Sequence, residues 1–259
     1  MFRVIRVHMG SGKIGYSELG SEWDLYGGRG FIGKILNDEV NPLCDPVGEE
    51  NKLIFCTGIL AGTDAPTAGR LSIVAKSPLT GTIKEANSGG TFGGELARHG
   101  IRAVIVEGKP REGEWRLLRI GKEGAELVDA GFLAGHGNYG IAEQLLGIYG
   151  SNIAVASIGT AGQRGYPNST IQILDTLGMP TRAAARGGLG SVMGSKGLIA
   201  VVIEHAEERF DPGYADRDSF RKSNREFIRA IRENELSGKA MPALGTAVLV
   251  NAVNAIGAL

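Results

Sequence analysis

Cysteine is almost missing from this chain. Its 259 residues include only Cys44 and Cys56, too few and too badly spaced for a four-ligand metal or cluster site. Cys56 lies in the apolar run from Leu53 and reads as core, while Cys44, between Leu43 and Asp45, reads as loop. Both are expected to be inert. Histidine is equally sparse, with four residues at positions 8, 99, 136 and 205 and no local companions, so each reads as structural rather than as a ligand. His136, in Ala134-Gly135-His136-Gly137-Asn138, reads as a loop residue instead of a base. No charge of either sign is in excess: 28 basic and 28 acidic residues cancel. A binder of phosphate backbones normally carries a basic surplus, which argues against nucleic acid as the main partner and makes any phosphate recognition local. No apolar run reaches the ~18 residues of a membrane span. The opening Met1 to Val7 alternates like a strand, unlike a signal peptide. The expectation is a cytoplasmic chain with neither membrane nor nucleic acid as partner.

Glycine, by contrast, is abundant, with 41 residues, about twice its usual share. One Gly-rich stretch organises the chain, Arg182-Ala183-Ala184-Ala185-Arg186-Gly187-Gly188-Leu189-Gly190-Ser191-Val192-Met193-Gly194-Ser195-Lys196. Arginines flanking small residues let the backbone come close to a ligand while guanidinium groups hold its anions. A helix beginning near Gly188 would aim its N–H groups at the same point, with Lys196 near its far end. The alternative reading of the same glycines is tight packing of a helix on a sheet.

Residues 3 to 7 and 14 to 19 read as a hairpin at a sheet edge. Gly28, Gly30 and Gly33 spell a dinucleotide fingerprint, and Gly28 with Gly33-Lys34 spells a P-loop up to its last position. Neither fits its context. The lead-in Ser21 to Tyr26 is polar and helix-like, and Ile35 stands where magnesium needs a hydroxyl. Arg29 remains available for another anion. Strands follow at 53–57 and 71–75, joined by a loop too long for a plain hairpin, then a strand ending near Ala86-Asn87-Ser88-Gly89-Gly90, a helix from about Gly93 to His99 and a strand at 103–107. A hairpin over 114–128 and a helix over 140–149 read as connecting structure.

The pattern then recurs. Strands at 154–158 and 171–174 echo those at 53–57 and 71–75. Arg186-Gly187-Gly188 echoes Ser88-Gly89-Gly90, Gly197 echoes Gly100, and Ala200 to Glu204 echoes Ala103 to Glu107. Elements kept in step over such a length predict a duplicated unit. The fold class is therefore α+β, a pseudo-twofold pair of intertwined αβ repeats with mixed sheets, covering about 53–108 and 153–205 within a domain of residues 1–208. Two Gly-rich turns facing one ligand, or one ligand with two like halves, follow from such symmetry. Residues 209–259 read as the start of a truncated helical domain. Asp216 to Asn234 forms an amphipathic helix with Phe220, Phe227, Ile228 and Ile231 on one face, and a second apolar helix starts near Gly245.

Six strings carry a resemblance: Ala65-Pro66-Thr67-Ala68-Gly69-Arg70, Lys76-Ser77-Pro78-Leu79-Thr80-Gly81, Ala86-Asn87-Ser88-Gly89-Gly90, Arg182 to Gly190, Val192-Met193-Gly194-Ser195-Lys196 and Leu244 to Asn251. In this order they resemble the N-terminal part of the tungsten-containing aldehyde ferredoxin oxidoreductases. The resemblance implies the base of a site for tungsten, or molybdenum, held by two pterins whose phosphates are bridged by Mg2+. It places Arg70, Asn87, Ser88 and Gly89 at one pterin and Arg182, Ala183, Ala185 and Arg186 at the other, with the backbone carbonyls of Asn87 and Ala183 as magnesium donors. It implies oxidation of an aldehyde to a carboxylic acid with ferredoxin as electron acceptor. The [4Fe-4S] ligands and acid–base residues of the family are expected outside these residues, in missing C-terminal domains or a separate subunit. The chain alone is then expected to be inactive and to associate with itself or with that missing half. A noncatalytic cofactor-binding or assembly subunit of a split enzyme is the alternative. Ala185 replaces a family glycine, and Gln163-Arg164 replaces Glu-Asn.

Overall fold

The computed structural model describes residues 1–258. They divide into two compact units, residues 1–63 with 67–212, and residues 64–66 with 213–259.

The first unit is built from β1 (Arg3–His8), β2 (Lys13–Glu18), α1 (Gly28–Glu39), β3 (Leu53–Thr57), β4 (Leu71–Lys76), β5 (Ile83–Ser88), α2 (Phe92–Arg98) and β6 (Ile101–Glu107). It then repeats as β7 (Arg116–Gly121), β8 (Gly124–Asp129), α3 (Asn138–Tyr149), β9 (Ile153–Ser157), α4 (Thr160–Gln163), β10 (Ile171–Ile173), β11 (Arg182–Ala184), α5 (Leu189–Ser195) and β12 (Leu198–Glu204). One sheet runs β2-β1-β6-β3-β4-β5 and the other β8-β7-β12-β9-β10-β11. The two orders correspond strand for strand. In each sheet one pairing is parallel, β1 with β6 and β7 with β12, and both carry an irregularity at the start of the pairing. The mixed, duplicated α+β architecture is as expected from the echoing strands.

The structure extends the repeat beyond the expected limits. The hairpin β7–β8 and helix α3, read from sequence as connectors, are the counterparts of β1–β2 and α1. Phe31, Ile32 and Ile35 of α1 and Ile141, Ala142 and Leu145 of α3 are buried with the same spacing, the mark of a helix with one apolar face. On α1 that face meets Val4, Ile54, Val74, Ala103 and Ile105 on one side of the first sheet. The other side of that sheet, with Ile5, Val7, Phe55, Ile73 and Val104, joins the main core shared with the second sheet. Alternation along each strand sends successive side chains to these two layers.

Helices α2 and α5 each touch strands of both sheets. Their second residues are glycines, and a Cβ on either would meet backbone: Gly93 lies against the Gly69 carbonyl at 2.6 Å and Gly190 against the Thr170 carbonyl at 2.6 Å. Their ends are crossed between repeats. His99 Nε2, after α2, lies 2.7 Å from the Glu204 carbonyl, and Lys196 Nζ, after α5, donates to the Gly108 carbonyl at 3.2 Å. Gly100 and Gly197 follow in the left-handed conformation, φ +68° and +61°. Each repeat thus holds the end of the other's helix.

In the second unit α6 (Arg217–Glu233) is capped by Asp216, whose side chain accepts from the N–H groups of Asp218 and Ser219. Tyr214 packs on Phe220 at 4.8 Å. None of the residues of α6 is buried, and Phe227 is half-exposed. After α6 come a π-helical stretch, Glu235–Ala240, and α7 (Met241–Leu244); the apolar helix expected from near Gly245 starts there as a 3-10 turn, Gly245–Val248, and runs on as α8 (Leu249–Ala255). Gly245, at φ +58°, ends α7. Glu235–Ala255 is nevertheless long and apolar enough in length and composition to cross a membrane. This corrects the expectation that no such segment exists, although core helices of soluble proteins meet the same criterion.

Candidate functional site

The two Gly-rich turns grow from edge strands. β5 ends one sheet and β11 ends the other, and the two strands contact each other. In the β4–β5 ladder Asn87 pairs with Ser72, and in the β10–β11 ladder Ala183 pairs with Gln172. Ser72 and Gln172 are each the second residue of their strand. Asn87 and Ala183, expected to act together through their carbonyls, therefore occupy equivalent positions in the two repeats.

Of the expected site residues, Arg70, Asn87, Arg182, Ala183, Ala185 and Arg186 are exposed, Gly89 is half-buried and Ser88 is buried with its hydroxyl on the Gly89 carbonyl. Arg70 Nε donates to Asn87 Oδ1. Asn87 Nδ2 donates to Ser72 Oγ at 3.3 Å, the Ser72 hydroxyl donates to Glu85 Oε1 at 2.7 Å, and Arg29 Nε donates to Glu85 Oε2 at 2.7 Å. This chain of bonds brings Arg29 to the site, a residue the sequence singled out without placing. Ser72 and Glu85 were not expected, and only their alternation with Asn87 along adjacent strands could have revealed them.

Among the described residues neither the Arg182 nor the Arg186 side chain makes a hydrogen bond or an ion pair, although Asp175, whose pKa is lowered chiefly by the Thr181 hydroxyl, also feels the Arg182 charge. Such cations on a surface are free to take an anion. Arg186 lines a cleft of about 290 Å3 with Arg29, Gly33, Val74, Ile83, Lys84 and Glu85. Arg70 and Arg182 do not line that cleft, so the three arginines do not share it as one groove.

The helix-terminus part of the expectation needs correction. α5 does begin after Gly188, but Gly187 through Ser191 are all buried. The N–H of Gly190 is used by the Ser169 carbonyl at 3.2 Å and that of Ser191 by Gly188 at 3.1 Å. Gly190 serves packing, whereas Arg182 and Arg186 stand exposed on either side of the buried Ala184.

The P-loop and dinucleotide patterns fall inside α1, where Gly30 and Gly33 are helical, and the lead-in contains a 3-10 turn, Ser21–Trp23, instead of a strand. Cys56 is buried and its thiol is pushed up to about 12 by desolvation; burial also raises that of Cys44. Neither offers a ready thiolate. Among the described residues no group of three or more His, Cys, Asp or Glu side chains could hold a metal. Gln163 accepts from the Gly135 N–H at 2.7 Å and donates to the His136 carbonyl at 3.1 Å, fixing the His136 loop.

Residues 4–205 match the family described as Aldehyde ferredoxin oxidoreductase, N-terminal domain. The chain belongs to this family. It is 39% identical over 258 residues to the tungsten-containing aldehyde ferredoxin oxidoreductase of Pyrococcus horikoshii and 38% identical over 257 residues to that of Pyrococcus furiosus, covering 97% of this chain and 40% of each relative. It thus spans about two fifths of the length of these relatives and corresponds to their N-terminal part. A more distant relative, 29% identical over 223 residues, is the aliphatic sulfonate oxidoreductase, WOR-like subunit, of Pyrococcus furiosus. A solved structure described as the active site complex BamBC of benzoyl coenzyme A reductase, in complex with 1,5 dienoyl-CoA, superposes with a TM-score of 0.82 at 31% identity, over 90% of this chain and 34% of that one.

Proposed function

We propose that the first unit is the base of a tungsten (or molybdenum) bis-pterin site in an oxidoreductase. The observation that carries this reading is the equivalence of Asn87 and Ala183 on two touching edge strands, one from each repeat. A ligand with two like halves fits a pseudo-twofold surface. Unpaired Arg182 and Arg186 fit its phosphates. Arg70, Asn87, Ser88 and Gly89 would hold one pterin, and Arg182, Ala183, Ala185 and Arg186 the other. The carbonyls of Asn87 and Ala183 would supply hard oxygen donors to Mg2+.

When bound, such a group supplies two-electron redox chemistry at the metal. The residues of this chain bind and orient it and set the charge around it. In the complete enzyme the substrate is an aldehyde, whose hydrate loses two electrons and two protons to become a carboxylic acid. A [4Fe-4S] cluster held by other residues would supply the outlet for those electrons, with ferredoxin as the acceptor. The buried Cys44 and Cys56 do not suit that cluster, so its thiolates belong to other domains or another subunit. A second reading, a cofactor-binding or assembly subunit of a split enzyme, is favoured by one observation: two of the similar proteins are described as a subunit and as a complex.

Arg182→Lys tests the first reading. It keeps the charge and removes the two-pronged donor, and is expected to weaken cofactor retention about ten-fold, the worth of roughly 1.4 kcal/mol. Unchanged pterin content in both Arg182→Lys and Arg182→Ala would remove Arg182 from the site.

A further inference from the structure

Ser77 is completely buried and its hydroxyl is fully used. Ser77 Oγ accepts from the N–H groups of Leu79 and Thr80, both at 3.1 Å. A hydroxyl has two acceptor positions and one proton. With both acceptor positions taken, the proton is directed at the Gly187 carbonyl, 2.7 Å away and 110 residues on in the chain. The turn that carries Ser77 is itself closed by backbone bonds from Ser77 to Thr82 and from Gly81 to Ser77, each 2.8 Å.

Gly187 is held from the same side. It is left-handed, at φ +75°, and a Cβ there would collide with the Lys84 side chain and come within 3.3 Å of Ser77 Oγ. Gly188, at φ +66°, has no room for a Cβ beside the Pro167 carbonyl and lies near Pro78. Arg186, immediately before, has no side-chain partner among the described residues. Its position is therefore set through the backbone of Gly187. The reciprocal turn is held in a like manner by the second repeat, where the Thr91 N–H donates to the Leu174 carbonyl at 3.1 Å and Gly90 abuts the same carbonyl.

We propose that Ser77, in the first repeat, is the positioning residue for the half-site of the second, acting through the Gly187 carbonyl on Arg186 and its neighbours. The two half-sites are cross-supported: the repeat that would hold one pterin fixes the turn that would hold the other. This rests on the cofactor reading above.

The test compares pterin and metal content per chain in wild-type protein, Ser77→Ala, Ser77→Cys and Leu118→Ala, all purified as the intact holoprotein and melted in parallel. Leu118 is buried on β7, separated from the edge strand β11 by three strands of the second sheet, so Leu118→Ala controls for simple loss of stability. Ser77→Ala is expected to lose one of two pterins per chain, with the loss confined to the half that depends on Arg186. Ser77→Cys, which keeps a weak donor, should lose less and serves as the readout if the alanine variant does not fold. Leu118→Ala should keep both. Two pterins retained by Ser77→Ala, or by Ser77→Cys if the alanine variant does not fold, overturn the inference alone. Loss in Leu118→Ala equal to that in the Ser77 variant likewise reduces Ser77 to a stability residue. Absence of pterin from wild-type protein overturns the cofactor reading, and this inference with it.

Discussion

Lys196 sits fully buried at the junction of the repeats, with a carbonyl but no carboxylate as its partner among the described residues. Burial, with Lys109 nearby, lowers its pKa from 10.5 to about 8. Below about pH 8 the ammonium is charged in the folded and unfolded chain alike, and its burial costs on the order of 3 kcal/mol. Between about 8 and 10.5 the unfolded chain holds a proton that the folded chain has released, so stability should rise with pH across that window. Lys196→Met should remove the rise. Urea denaturation at a series of pH values measures it, and a parallel rise in the variant would contradict the assignment. The sequence marked Lys196 as the far end of a Gly-rich helix, but its burial depends on the opposite repeat, which no local pattern reveals. Ser77 escapes notice as a positioning residue for the same reason. Arg182 and Arg186 stand out because glycines and small residues around them announce close backbone approach, whereas Asn87 and Ala183 are singled out only by the family resemblance.

At the level of elements, the glycines of three helices separate packing from open space. Alanine in place of a helical glycine normally stabilises by about 1 kcal/mol. Gly33, inside α1, has nothing within 4 Å of where a Cβ would lie, so Gly33→Ala should follow that rule. Gly93 and Gly190 face backbone carbonyls at 2.6 Å, so alanine there should destabilise by roughly 1–3 kcal/mol. Thermal melts of the three variants check this, and a common sign would show that the close approach does not constrain these helices. The hairpin β7–β8 and helix α3 are hard to recognise as repeat elements because the connections differ in length. Residues 40–52 separate α1 from β3, whereas only 150–152 separate α3 from β9. A comparison that keeps the strands in step therefore loses the elements before them. The π-helical stretch and α7, between α6 and Gly245, escape the sequence reading, which places an apolar helix only from near Gly245.

For the molecule as a whole, the second unit presents Phe227, Leu244, Val250 and Ile256 half-exposed or more. Apolar surface of this kind favours association. Residues 1–259 alone should self-associate in sedimentation velocity, and a form ending at Pro212 should not; monomeric behaviour of both would remove the second unit as the cause. The central claim concerns the first unit, where two repeats place equivalent turns on touching edge strands as the base for a ligand with two like halves. The most direct test is the ratio of pterin to metal in the intact protein isolated from cells supplied with tungsten and molybdenum. The account predicts two pterins for each tungsten or molybdenum atom. A folded protein that carries neither metal nor pterin, or a single pterin per metal, would contradict it.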